Sequence, residues 1–237
     1  MTSVFWSVSY YTLGPLIRLA WRLRITGREN LPKKGAAVIA SNHLSFLDHF
    51  VLPLAQRRQI FFISKAEHFE SPVKRFFFRN WGVIPLRRGA SDQEAFDRSI
   101  KVLGDGNFFG IYPEGTRSTD GKLHKGRTGV ARIALTARVP IIPAAMMGTF
   151  EALPKGKSMP RFTKCEVRIG RPIDVSAWYG RENDRAALRE VTDKVMHALA
   201  ELSGQEYVHE YTFNPAYVSK DEPPRSPPVK TQTGGRT

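Results

Sequence analysis

From residue 36 onward, short apolar runs bounded by Gly, Ser and Asn alternate with longer stretches whose apolar positions recur every three or four residues. The run AAVIA at 36 to 40 reads as a buried strand whose C-terminal end leads into Asn42 and His43. QIFFIS at 59 to 64 reads as a second strand after a helix of about ten residues, which makes a βαβ unit. Ser91 and Glu94 form a capping box for a helix that carries Phe96, Ile100 and Leu103 and stops at Gly104 and Gly106. NFFGIYP at 107 to 113 is a further buried strand, followed by a helix over Thr128 to Ala137. VPIIPAA at 139 to 145 is a strand whose two prolines predict an edge position or a strand start. CEVRIG at 165 to 170 alternates as a half-exposed strand does. The last periodic element runs from about Asp184 to Leu202, with Leu188, Val191, Val195, Leu199 and Leu202 on one stripe. This alternation predicts an α/β fold with a mixed, largely parallel sheet flanked by helices.

The two ends of the chain follow other patterns. Met1 to Ile17 is uncharged, but Ser, Thr, Tyr and the pair Gly14-Pro15 interrupt it, so it makes a poor membrane span. No basic residues precede it and no small-residue cleavage site follows, so it is also a poor signal peptide. It predicts a pair of short helices hinged at Gly14-Pro15, either interfacial or packed on the main domain. Trp6, Tyr10, Tyr11 and Trp21 suit a headgroup layer, and Arg18, Arg22 and Arg24 suit anionic phosphate. From Asn214 onward there are five prolines in 24 residues and little apolar content, which predicts a disordered tail. The expected organisation is a membrane-associating segment over 1–30, an α/β domain over 31–213 and a tail over 214–237.

Charge sharpens the picture. The net charge of +14 is concentrated: six Lys/Arg face one acid in 1–35, eight face two in 57–88, and six face one in 117–138. An anionic partner follows, whether nucleic acid, anionic lipid or a phosphorylated small molecule. The single cysteine, Cys165, excludes an intramolecular disulfide and a Cys-based metal cluster. His49 and His68, taken with His43, Asp48 and Glu67, match no familiar zinc spacing, so no metal is expected.

Three polar segments sit where strands meet helices: SNHLSFLD at 41 to 48, GVIPLRRG at 82 to 89 and YPEGTRS at 112 to 118. Strand ends on one edge of an α/β sheet are where ligands bind, so the three can converge. His43 and Asp48 are either a base with its orienting carboxylate or polar residues at a helix mouth, since Ser45 and Asp48 also have the spacing of a weak cap.

In order and separation, NHLSFLD, GVIPLRRG, YPEGTRS and VPIIP resemble the four blocks of the glycerolipid acyltransferases, most closely the 1-acylglycerol-3-phosphate acyltransferases. The family often has Asp before the arginine of the second block, where this chain has Arg87, so Arg88 is the match by position. The resemblance implies acyl transfer from acyl-CoA or acyl carrier protein to the sn-2 hydroxyl of 1-acylglycerol 3-phosphate, with no cofactor. It implies His43 and Asp48 as catalytic residues and Glu114, Gly115, Thr116 and Arg117 as the acceptor-binding block. Residue chemistry agrees, because a neutral imidazole can take the hydroxyl proton and a carboxylate can fix its tautomer. No Ser or Cys lies in a nucleophile elbow, so direct attack by the lipid hydroxyl is expected. Arg88 and Arg117, with Lys65 and Lys125, are the candidate phosphate ligands. FESPVKRFFFRNW at 69 to 81 reads as part of an acyl channel, as a bilayer contact, or as ordinary core on a basic helix. The expected setting is the cytoplasmic face of the cell membrane, with the protein peripheral or monotopic on an anionic surface and no nucleic acid bound. The alternatives are another acceptor, such as glycerol 3-phosphate or another lysophospholipid, a thioesterase, or a non-catalytic basic lipid- or nucleic-acid-binding module.

Overall fold

The computed structural model describes residues 3–65, 71–86 and 92–212. Nine strands follow in chain order: β1 (Arg24–Thr26), β2 (Ala37–Ser41), β3 (Ile60–Lys65), β4 (Val83–Leu86), β5 (Phe108–Ile111), β6 (Leu123–His124), β7 (Ile141–Met147), β8 (Glu166–Ile169) and β9 (Tyr207–Val208). The helices are α1 (Val4–Ala20), α2 (Asp48–Val51), α3 (Pro72–Trp81), α4 (Asp92–Gly104), α5 (Gly129–Ala137), α6 (Thr149–Ala152) and α7 (Arg185–Ser203). Seven strands form one sheet in the order β1-β8-β7-β2-β5-β3-β4, and β6 pairs with β9 apart from it. Within the large sheet β7 and β8 run antiparallel and the other neighbours are parallel. The mixed, largely parallel sheet expected from the alternation is the one that forms.

Every residue of β2 is buried, which explains why its sequence is continuously apolar rather than alternating. Successive side chains still serve opposite layers. Val38 and Ala40 pack with Leu135 of α5 and Val191 and Val195 of α7, whereas Ala37 and Ile39 pack with Leu47, Val51 and Leu52 on the other face. The helix expected after β2 is shorter than its apolar content suggests. α2 tightens into a 3₁₀ turn over Leu52–Ala55 at Pro53, which has no N–H to continue an α-helical ladder. Leu188, Val191, Val195 and Leu199 of α7 are buried as the stripe predicts, and Asp184 caps the helix by accepting from the N–H groups of Ala186 and Ala187.

Two expectations are corrected. The hinged N-terminal pair is one continuous helix, α1, with Pro15 inside it. Pro15 lies on the exposed side, where water can satisfy the carbonyl that its missing N–H leaves free. Gly14 is buried against Leu54, where an added Cβ would come within 3.2 Å of the Leu54 side chain. Packing holds the rest of the helix: Trp6 Nε1 donates to the Arg57 carbonyl at 2.7 Å, Arg18 donates to the Leu54 carbonyl at 2.9 Å, and Trp6 and Tyr10 form a small core with Leu54 and Trp81.

The second correction concerns Pro143, since Pro140 stands just ahead of β7, at the strand start as expected. β7 is interior, between β8 and β2, and Pro143 sits inside it. The Pro143 carbonyl accepts from Gly170 N–H, so its donorless nitrogen also faces the β8 side. There the antiparallel ladder is broken between Ala144↔Ile169 and the isolated bridge Ile141↔Ile173. A proline is tolerated because the neighbouring strand bulges where the hydrogen bond would have been.

Candidate active site

β2, β5 and β7 deliver their C-terminal ends to one edge of the sheet; SNHLSFLD follows β2 and YPEGTRS follows β5, whereas GVIPLRRG spans β4. Asn42 joins two of them: its Oδ1 accepts from Met146 N–H at 2.7 Å and its Nδ2 donates to the Met146 carbonyl at 2.9 Å. This side chain continues the β2 to β7 pairing one step past the backbone ladder, and so sets where His43 emerges.

His43 and Asp48 are both buried. His43 Nδ1 lies 2.9 Å from Asp48 Oδ2, and the same oxygen accepts from the N–H groups of Leu44 at 2.7 Å and Ser45 at 2.8 Å. An oxygen already accepting two backbone donors is an acceptor for the ring as well, so Nδ1 carries the proton and Nε2 is left with its lone pair. The bond from Ser45 N–H is the half of a capping box that the sequence spacing suggested. The two readings of the pair are therefore not alternatives, since one carboxylate opens the helix and orients the imidazole. Asp48 Oδ1 is buried without a hydrogen-bond partner among the described residues, which leaves a carboxylate best balanced by positive charge on the ring. The Tyr112 ring stacks on the imidazole at 3.9 Å between centroids, and its burial raises the phenol well above its usual value.

The YPEGTRS turn grips the backbone of His43 from two sides. Ser118 N–H donates to the His43 carbonyl at 2.8 Å, and His43 N–H donates to Glu114 Oε1 at 3.0 Å. The other Glu114 oxygen accepts from His124 N–H at 3.0 Å. Glu114 is buried, and desolvation raises its carboxyl to about 7 against the two hydrogen bonds that lower it, with Asp48 and Asp120 adding repulsion. Gly115 takes a positive φ of 74° in this turn, which closes with Gly115 N–H on the Tyr112 carbonyl.

A cavity of about 90 Å³ opens beside the pair, lined by His43, Arg117, Phe46, His49, Ser64 and Phe78 among others. Imidazole and guanidinium thus share one hollow. Arg117 is half-buried and makes no ion pair among the described residues. Its charge is felt at Lys155, whose ammonium is lowered first by desolvation and then by repulsion from Arg117.

Beyond this geometry, the sequence itself matches a known family. The family model described as Acyltransferase covers residues 22–147, more than half of the 237. The chain belongs to the acyltransferase family. The chain is 36% identical over 157 residues to a chloroplastic 1-acyl-sn-glycerol-3-phosphate acyltransferase of Arabidopsis thaliana, covering 65% of this chain and 44% of the relative. It is 26% identical over 195 residues to a 1-acyl-sn-glycerol-3-phosphate acyltransferase of Bacillus subtilis, covering 81% and 94%. The chain spans less than half the length of the two chloroplastic relatives, from Arabidopsis thaliana and Brassica napus. Among solved structures it is similar to the 1-acyl-sn-glycerophosphate acyltransferase PlsC of Thermotoga maritima, with a TM-score of 0.64 and 27% identity over 81% of this chain and 80% of that one.

Within the chain the expected site residues divide. His43, Asp48, Glu114 and Arg117 come together, and half-buried Thr116 lies in the same turn. Glu114 accepts from the backbone N–H groups of His43 and His124. Lys125 stands elsewhere, on β6's side, with its ammonium 5.4 Å from the centre of the Tyr211 ring. Lys65 ends β3, but its side chain lies outside the described residues, as do Arg88, Ser91 and the segment 213–237. The three phenylalanines of α3 serve three purposes, while Phe69 lies outside the described residues. Phe76 is 61% exposed, Phe77 stacks on buried Trp81 at 5.2 Å, and Phe78 lines the cavity. Sequence reasoning missed Tyr112, Asn42 and Lys155. The first two lay inside segments already singled out, and Lys155 lay in a basic stretch left unread.

Proposed function

We propose that this acyltransferase moves a fatty acyl group from the thioester of acyl-CoA or acyl carrier protein to the sn-2 hydroxyl of 1-acylglycerol 3-phosphate, forming phosphatidate in phospholipid biosynthesis. The observation that carries the reading is the shared cavity, in which an imidazole oriented by a carboxylate faces a guanidinium that has no ion-pair partner among the described residues. Nε2 of His43 takes the hydroxyl proton as the oxygen attacks the thioester carbon. The tetrahedral intermediate expels the thiolate, which recovers the proton from the imidazolium. Asp48 holds the tautomer and stabilises the imidazolium. Arg117 clamps the acceptor's phosphate by paired N–H bonds. Phe46 and Phe78 provide the apolar wall for the acyl group.

The same reading sets the enzyme at the cytoplasmic face of an anionic membrane. No helix among the described residues is long and apolar enough to cross one. α1 instead is apolar on two faces. Trp6, Tyr10 and Gly14 pack on the protein, while Val4, Val8, Tyr11 and Leu19 form an exposed stripe at helical spacing. Exposed Phe76 meets Phe5 of α1 at 5.5 Å between ring centres, which extends the stripe onto α3. Purified protein incubated with acyl-CoA and lysophosphatidate should release thiol and form phosphatidate, and His43→Ala should abolish both. Thiol release that ignores the acceptor would indicate a thioesterase. A panel including glycerol 3-phosphate and other lysophospholipids, read by mass of the product, tests the acceptor.

A further inference from the structure

A second cleft, of about 330 Å³, lies away from His43. Its basic lining comes from Arg28, Lys33, Arg57 and Arg58, with Tyr10 of α1 and Gln56 beside them, and no carboxylate lines it. Lys33 precedes β2, and Arg57 and Arg58 precede β3, so the cleft opens at the N-terminal edge of the parallel strands, whereas His43 follows the C-terminal end of β2. It is therefore not an extension of the cavity that holds the imidazole.

The four cations are not equivalent. Arg58 is a structural fastener: it donates to the carbonyls of Pro32, Gly35 and Gly106, and its guanidinium lies 3.9 Å from the centre of the Phe108 ring. Its donors are used, but its charge remains. Arg28, Lys33 and Arg57 are exposed and have no ion pair among the described residues. Four like charges around one hollow repel one another, and an anion bound there removes that repulsion. Arginine forks suit the oxygens of a phosphate in particular. The neighbourhood indicates where such a phosphate would come from. Arg57 lies 6.0 Å from the centre of the Tyr11 ring, and Tyr11 belongs to the exposed apolar stripe of α1. Tyr10, on the adjacent helix position, lines the cleft itself. One helix thus offers an apolar outer face and, beside it, a cationic hollow, the pairing that an amphiphile with a phosphate head requires.

We propose that this cleft is a phosphate site that receives the headgroup of an anionic membrane lipid lying against α1. The proposal rests on the membrane-docking reading above and adds a defined headgroup site to it. The test uses the full chain in co-sedimentation with vesicles of phosphatidylcholine alone and of phosphatidylcholine with phosphatidylglycerol. Lys33→Gln and Arg57→Gln are each expected to weaken binding to the anionic vesicles about fivefold, the value of one basic side chain at such a surface. They should leave binding to neutral vesicles unchanged. Lys34→Gln, next in sequence but outside the cleft, should have little effect. Equal losses at 33 and 34 would mean diffuse attraction to the surface and would overturn the site. Failure of the wild-type chain to bind either vesicle would remove the docking reading. Calorimetry with inorganic phosphate then decides the cleft alone: binding lost in Arg57→Gln would support a site for free phosphate, and no binding would overturn it. Unchanged acylation of detergent-dispersed acceptor by both variants would show that they are folded.

Discussion

Replacing Asp48 by Asn separates what the carboxylate does by position from what it does by charge. Two backbone N–H groups, those of Leu44 and Ser45, converge on Oδ2 together with His43 Nδ1. A carboxamide will put its oxygen at that vertex, because its NH₂ there would face two donors. The ring therefore keeps the proton on Nδ1, and Nε2 stays available as the base. The charge is lost. A hydrogen bond to an ionised group contributes about 1.5–3 kcal/mol against about 1 for a neutral one. Losing the difference as the imidazolium forms, about 1–2 kcal/mol, slows turnover about 5- to 30-fold. Asp48→Ala instead leaves two buried N–H groups unpaired, at about 1–3 kcal/mol each in stability, and frees the ring to rotate. Its turnover should approach that of His43→Ala, which forgoes the about 10²- to 10⁴-fold that a positioned base supplies. The assay is thiol release from acyl-CoA with saturating lysophosphatidate, alongside thermal unfolding of each variant. A folded Asp48→Asn protein as slow as His43→Ala would refute the claim that the backbone donors choose the tautomer.

Three other outcomes are expected. Glu114 has a folded value of about 7 against the usual 4.5, so between these pH values the native state holds more protons than the unfolded one. Its contribution to stability therefore falls as pH rises across that window, by about 3 kcal/mol in total, and pH-dependent denaturant titrations should lose this slope in Glu114→Gln. Arg117→Ala should raise KM for lysophosphatidate about 10- to 100-fold, the value of a charge-assisted bond, and change little toward an acceptor without phosphate; equal losses on both would argue against a phosphate clamp. Phe76→Ser should weaken vesicle binding by about 1–2 kcal/mol with turnover on dispersed substrate retained, whereas Phe78→Ser should alter acyl-chain preference. If the two variants behave alike, the division of labour along α3 is wrong.

The sequence disclosed those elements whose cause is local. β2, α5 and α7 were legible because an apolar run or stripe reports burial directly, and His43, Asp48 and Arg117 because a motif pair marks them. β1, β6 and β9 have two or three residues each, too few to carry a period, and they exist through partners far along the chain: Arg24–Thr26 pairs with Glu166–Arg168, and Leu123–His124 with Tyr207–Val208. Pro143 was misjudged for a related reason. A proline needs a place without an acceptor facing it, and only the bulge near Gly170 reveals that an interior strand has one. The hinge expected at Gly14-Pro15 follows from helix propensity, which anchoring by Trp6 and Arg18 overrides. Glu114 was found by motif but not by role, since its partners are backbone amides of His43 and His124, which no side-chain pattern encodes.

His43 is fastened at its amide by Glu114 and at its carbonyl by Ser118, and Arg117 lies between those two residues in sequence. If His43 is the base and Arg117 the phosphate clamp, as proposed, the two are mounted on one backbone frame, and the frame would work as a gauge. It would accept an alcohol whose oxygen lies at a set reach from its phosphoryl group and reject isomers that are longer or shorter. Regiochemistry would then be written into a backbone spacing rather than into any contact with the hydroxyl that reacts.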